Sequence, residues 1–191
     1  LIDATNVVDS VASVITNVSL AHTRILGGTI EEITRNKAGI IKRDNVACVT
    51  AAQDAKALEV ISRACADRGV ALKKIAPEAI QIHSMSEQGS HFSYTTCAGA
   101  TLADLSIRMV GDAQVTNACC AIEAIDALRR KHLIEISDKQ IRAGIADVQF
   151  EGRLEIMSTT PRVLLDGAHN HAKMEFLART LQDVFEYNRL I

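Results

Sequence analysis

The sequence predicts an α/β fold, part of a mainly parallel sheet with flanking helices and a small antiparallel meander, followed by the start of a second α/β domain. Three observations predict it. First, residues 11–18 are a short apolar run rich in β-branched residues, which reads as a strand buried on both faces of a parallel sheet, and residues 46–50 and 70–75 read as a second and a third strand. Second, residues 54–68 between the last two runs have a helical pattern closed by Gly69. Strand, helix, strand in that order is a βαβ unit with a right-handed crossover. Third, residues 79–109 change to alternating segments, AIQIHSM, HFSYTT and TLADLSIRM, separated by Glu87-Gln88-Gly89-Ser90 and Cys97-Ala98-Gly99. That pattern is an antiparallel meander appended to the main sheet.

Between the first two strands lies LAHTRILGGTIEEITRNKAGIIK, residues 20–42. Thr29 followed by Glu32 is a capping box that starts a helix, and Gly39 is expected to stop it. Ile30, Ile33 and Lys37 fall on one stripe, so an apolar face ends in a lysine. Lys37 either complements the negative helix end and snorkels to water, or points into a site where desolvation favours its amine form. His22, just past an apolar strand, is either a hydrogen-bonded structural residue or a metal ligand. Its place beyond the C-terminal end of a sheet strand favours a site.

Residues 111–132 form a helix with an apolar face through Val115, Ala118, Cys119, Ile122, Ile125 and Leu128. Ser137 with Gln140 caps another helix that runs to about residue 147. The segment FEGRLEI at 150–156 leads to PRVLLDGAHN at 161–170, in which 163–165 is a buried strand and Asp166 to Asn170 the turn beyond it. Met174, Leu177, Ala178, Leu181 and Phe185 form the core stripe of the helix that follows. His83 and His91, on the meander, are structural or exposed.

The totals exclude several function classes. A formal charge of −2 and a pI near 6.3 leave no electrostatic footprint for nucleic acid or an anionic membrane. No apolar run approaches a membrane span, and no signal segment opens the chain. The five cysteines have no C-x-x-C spacing and read as reduced core thiols in a cytoplasmic protein.

The stretch SVITNVSLAHTRILGGTIEEITRNKAGIIK resembles the central segment of folylpolyglutamate and dihydrofolate synthases, the folate branch of the Mur ligase superfamily. That family reads approximately SVITNIGLDHxxxLGxTIxEIAxEKAGIIK. Four further segments resemble family motifs: the ATN of residues 4–6 after Asp3, GDAQVTNA, GRLE and DGAHN. Ala21 stands where the family has Asp, Asn36 where it has Glu, and Ala113 where it has His.

The resemblance implies a site. His22 becomes a magnesium ligand and Lys37 a carbamylated lysine that also serves the metal. Asn117 and Asp166 contact the nucleotide, Arg153 the ATP phosphates, and His169 the phosphates and incoming amino acid. It implies ATP and Mg²⁺ as cofactors, with folate or dihydropteroate and L-glutamate as substrates of a cytoplasmic monomer. The family makes an amide bond through an acyl phosphate. Residues 1–158 then belong to the central ATP-binding domain and 159–191 to the start of the glutamate-ligase domain. The phosphate-binding loop is expected upstream of Leu1, so residues 1–191 alone are not expected to turn over. Two other readings stand beside this one: another Mur-type carboxylate–amino acid ligase, and a non-catalytic nucleotide-binding paralogue.

Overall fold

The computed structural model describes residues 4–20 and 26–191. Its central sheet is β1 (Ser13–Ile15), β2 (Cys48–Thr50) and β3 (Leu72–Lys74), all parallel and in that order. Helix α1 (Ile30–Lys37) lies between β1 and β2, and α2 (Ala55–Arg68) makes the crossover to β3. The capping box of α1 forms as expected: Glu32 N donates to Thr29 Oγ1 at 3.2 Å and Thr29 N donates to Glu32 Oε2 at 3.3 Å. Gly69 caps α2 in the left-handed conformation.

Register explains how the layers divide. Ile15 pairs with Thr50 and Ser13 with Cys48, so these residues share the sheet face that packs on α1 and α2 through Ile33, Ala57, Ile61 and Cys65. Val14 and Val49 occupy the opposite face. There Val49 meets α3 (Asp112–Arg130) and the meander β4 (Ile80–Ser86), β5 (Gly89–Thr95) and β6 (Thr101–Ile107). The meander is a separate antiparallel sheet, and α4 (Asp138–Asp147) closes its core with Ile141 and Ile145.

Burial on both faces, expected of β1, does not hold there: Val14 is 37% exposed, whereas every residue of β2 is buried. Gly39 does not end α1 as a left-handed cap. It lies in a 3-10 turn (Ala38–Ile40), where a Cβ would sit 2.8 Å from Asn6 Oδ1. The glycine is there for close approach. Four cysteines are buried as expected, but Cys97 is exposed in the loop after β5.

The chain ends in the hairpin β7 (Glu155–Thr159) and β8 (Arg162–Leu165), then α5 (His171–Val184). The expected division between 158 and 159 falls inside β7, where Ser158 pairs with Val163 and Thr159 with Arg162. β8 is not buried: Val163 and Leu165 are 45% and 48% exposed, since β8 pairs with β7 alone and one face has no cover. The α5 stripe is core only in its last turns. Leu181 and Phe185 pack on Val110 and Leu154, whereas Met174 is half exposed.

Candidate nucleotide and catalytic site

Lys37 is the last residue of α1, and the chain around it is tied to the N-terminal segment 4–7. Asn6 Nδ2 donates to the Asn36 carbonyl at 3.2 Å, and Lys42 Nζ donates to the Asn6 carbonyl at 2.6 Å. Asn6 Oδ1 is buried and accepts from no protein group among the described residues. The Asn36 side chain holds the approach to α1, its Nδ2 donating to the Leu26 carbonyl at 2.8 Å. A carboxylate at this position has no proton to give that carbonyl. His22 and Ala21 lie outside the described residues.

The second group of expected site residues is assembled by two turns that grip each other. Gly167 N donates to the Gly152 carbonyl at 2.8 Å, joining the turn before β7 to the turn after β8. Asp166 fastens the same junction. Its Oδ2 accepts from Leu154 N at 2.9 Å and its Oδ1 from Ala168 N at 2.7 Å. Both carboxylate oxygens therefore hold backbone. Arg153 is laid across the junction, its Nη1 donating to the Gly152 carbonyl at 3.1 Å and its guanidinium 5.3 Å from the Phe150 ring centroid. A Cβ at position 167 would lie 2.6 Å from Arg153 Nη1, so Gly167 makes room for the guanidinium.

His169 is exposed at the end of this junction, with Nδ1 2.8 Å from the Gly167 carbonyl. A carbonyl only accepts, so Nδ1 is the donor in this bond. Asn170 caps α5, its Oδ1 accepting from Lys173 N at 3.0 Å. Arg153, Asp166 and His169 thus meet in one place. Asn117 is carried by α3, exposed, with its Nδ2 3.2 Å from Gln114 Oε1, and Lys37 by α1.

Residues 3–125 match the family described as the Mur ligase middle domain. The chain belongs to the Mur ligase family. It is 37% identical to a dihydrofolate synthase/folylpolyglutamate synthase of Bacillus subtilis over 190 residues, 98% of this chain and 44% of the relative. A solved FPGS–AMPPCP–folate complex superposes with a TM-score of 0.86 at 31% identity, covering 95% of this chain and 44% of that one. The folylpolyglutamate synthase of Thermotoga maritima superposes at 0.78 with 32% identity, covering 95% and 40%. This Mur ligase chain spans less than half the length of these relatives.

Two buried contacts of α3 are not foreseen from the sequence. Glu123 is fully buried in α3, its Oε2 accepting from Tyr94 Oη and from Cys97 N, each at 2.9 Å. The signal was present: Val115, Cys119 and Glu123 fall at i, i+4 and i+8, which puts an acid on the buried stripe. Phe176, on α5, seats against Gly111 at the start of α3, and no sequence pattern pairs the two. For magnesium, no group of three His, Cys, Asp or Glu side chains among the described residues is arranged to hold a metal. Asn6 Oδ1 alone is not a site. No helix among the described residues is long and apolar enough to cross a membrane.

Proposed function

We propose that the intact protein carrying this chain is an ATP-dependent ligase that joins L-glutamate to a folate, to dihydropteroate, or to both. One observation carries this reading: the paired turns bring the Arg153 guanidinium and the His169 imidazole together directly ahead of the N-terminus of α5. The FPGS–AMPPCP–folate complex supports nucleotide and folate as its ligands. The reaction begins when ATP gives its γ-phosphoryl group to the folate carboxylate, forming an acyl phosphate and ADP. The glutamate amino group then attacks the acyl carbon, and phosphate leaves with the electron pair of the broken C–O bond.

Arg153 binds the nucleotide phosphates, where a planar fork of donors matches anionic oxygens. Asp166 acts by holding the turn in which Arg153 and His169 sit, and Asn117 hydrogen-bonds the nucleotide. His169, in the same turn, lies at the reacting end, near the phosphates and the incoming amino acid. Magnesium, held in this reading by His22 and a carbamylated Lys37, supplies charge neutralisation when bound. The protein acts as a cytoplasmic monomer without nucleic acid. We place the division between its two domains in the stretch 148–154, ahead of the β7–β8 hairpin.

The test is incubation of the intact protein with ATP, Mg²⁺, L-glutamate and either tetrahydrofolate or dihydropteroate. A product heavier by one glutamyl residue, with ADP and phosphate released in step, is expected. Product only with a UDP-muramoyl acceptor would identify another Mur-type ligase. ATP binding without product from any acceptor would favour the non-catalytic paralogue, a reading that Asn36 supports because its amide serves backbone where the family has a carboxylate.

A further inference from the structure

Three consecutive residues, Val110, Gly111 and Asp112, seat the hairpin and α5 against the start of α3. Val110, 4% exposed, joins a cluster whose other members, Leu154, Leu181 and Phe185 with Ile156, Leu164, Leu177 and Val184, all follow residue 150. Gly111 comes next, with φ 108° and ψ 148°, and a Cβ there would lie 2.5 Å from Phe176 Cζ and 3.4 Å from Thr180 Oγ1. The ring therefore occupies a notch that only glycine leaves open. Asp112 Oδ2 then accepts from Arg179 Nη2 at 3.4 Å, and the same guanidinium stands 5.9 Å from the Phe176 ring centroid. A second anchor, Arg162 Nη1 to Glu87 Oε1 at 2.7 Å, ties β8 to the turn of the meander.

We propose that Val110, Gly111 and Asp112 form a docking joint in which Phe176 is a positioning residue, setting the turn 166–170 relative to Asn117 across the bound nucleotide. This rests on the nucleotide site proposed above. Distances along the helices make the joint effective. Asn117 lies five residues into α3 from Asp112, and Phe176 five residues into α5 from His171, about 7.5 Å of axial rise in each case. Both helices are rigid over so short a span, so a shift at the joint reaches Asn117 and His169 almost undiminished. The steric seat is the larger contribution. Arg179 and Asp112 are 61% and 52% exposed, and a pair so open to water orients the helix more than it holds it.

The experiment uses the intact protein, with Phe176→Ala, Phe176→Leu and the charge exchange of Asp112→Arg with Arg179→Asp. Phe176→Ala is expected to raise the KM for ATP on the order of tenfold while the KM for glutamate and the melting temperature stay close to the unaltered values. Phe176→Leu, which refills the notch, should recover most of the effect. Asp112→Arg alone should raise the KM for ATP, and the exchange should restore it. Spin labels at Ala121 and Lys173, with Cys97→Ser to prevent side labelling, read the joint whatever the substrate is. A narrow distance distribution that broadens in Phe176→Ala is expected.

An unchanged distribution overturns the joint. A broadened distribution with an unchanged KM for ATP overturns the positioning role. Failure of the unaltered protein to bind AMPPCP sinks the proposed function and with it the positioning role, and the label distances then still decide whether the joint exists.

Discussion

Removing the carboxylate of Glu123 should destabilise the protein far more than removing its charge. In Glu123→Ala two donors lose their acceptor: the Tyr94 hydroxyl, on a residue 1% exposed, and the Cys97 N–H. Leaving a buried donor unpaired costs about 1–3 kcal/mol for each group, and the cavity adds to that. Relief from burying a carboxylate whose Oε1 has no protein partner among the described residues offsets part of the sum, leaving a net loss of about 2–4 kcal/mol. At about 2–4 °C per kcal/mol for a chain of this size, the melting temperature should fall by roughly 5–15 °C. Glu123→Gln keeps an oxygen where both donors converge and should stay within about 1 kcal/mol of the unaltered protein. Urea denaturation with an unchanged m-value is the assay, supported by thermal melts. A Glu123→Ala protein as stable as the unaltered one, or less damaged than Glu123→Gln, would refute the reasoning. The pH dependence has a definite sign. Burial, and then the hydrogen bond to Glu123, push the Tyr94 phenol well above its usual range. The folded state therefore keeps the proton that the unfolded chain releases near pH 10, and this contribution to stability is lost as pH rises above that value.

Three further outcomes are open to simple measurement. Thr29→Ala removes the acceptor of the α1 capping box and should lower stability by about 1 kcal/mol in urea melts, with Thr29→Ser close to unaltered. Cys97, the exposed thiol, has its pKa raised to about 11 by burial of its sulfur and by the nearby Glu123 charge. Its alkylation by iodoacetamide should therefore climb about tenfold per pH unit from 7 to 9.5 without levelling, whereas a plateau near pH 9 would contradict the shift. Under the proposed function, Lys37→Ala should weaken ligase turnover by the intact protein while leaving its melting temperature nearly unchanged, and added acetate or formate should restore part of the activity if a carbamate is the working group. Loss of activity with no rescue would leave the lysine a role in folding or charge alone.

What could be read from the sequence follows how far apart the interacting residues lie. Both capping boxes were legible because each joins a side chain to a backbone N–H three residues away. The parallel βαβ unit and the meander were legible because period and turn residues are local. Burial was not. The apolar composition of 163–165 and the stripe starting at Met174 look like core, yet Val163, Leu165 and Met174 are exposed and only Leu181 and Phe185 at the end of the stripe are buried, because exposure depends on which elements pack there. Gly39 misled for the same reason. A glycine near a helix end suggests a left-handed cap, while its use here is to let Asn6 approach from the start of the chain.

The candidate site divides along the same line. Asp166 and His169 could be nominated because they stand in one short motif, and Arg153 because it stands in another. What brings the motifs together is backbone: Gly167 N on the Gly152 carbonyl, and Leu154 N on the Asp166 carboxylate. Gly152, Leu154 and Gly167 contribute no functional group, so no argument from residue chemistry could name them. They nevertheless decide whether Arg153 and His169 are carried on one junction. Substitution of Gly167 should therefore displace Arg153 as surely as deleting its side chain would, since the space a Cβ needs is the space Nη1 occupies.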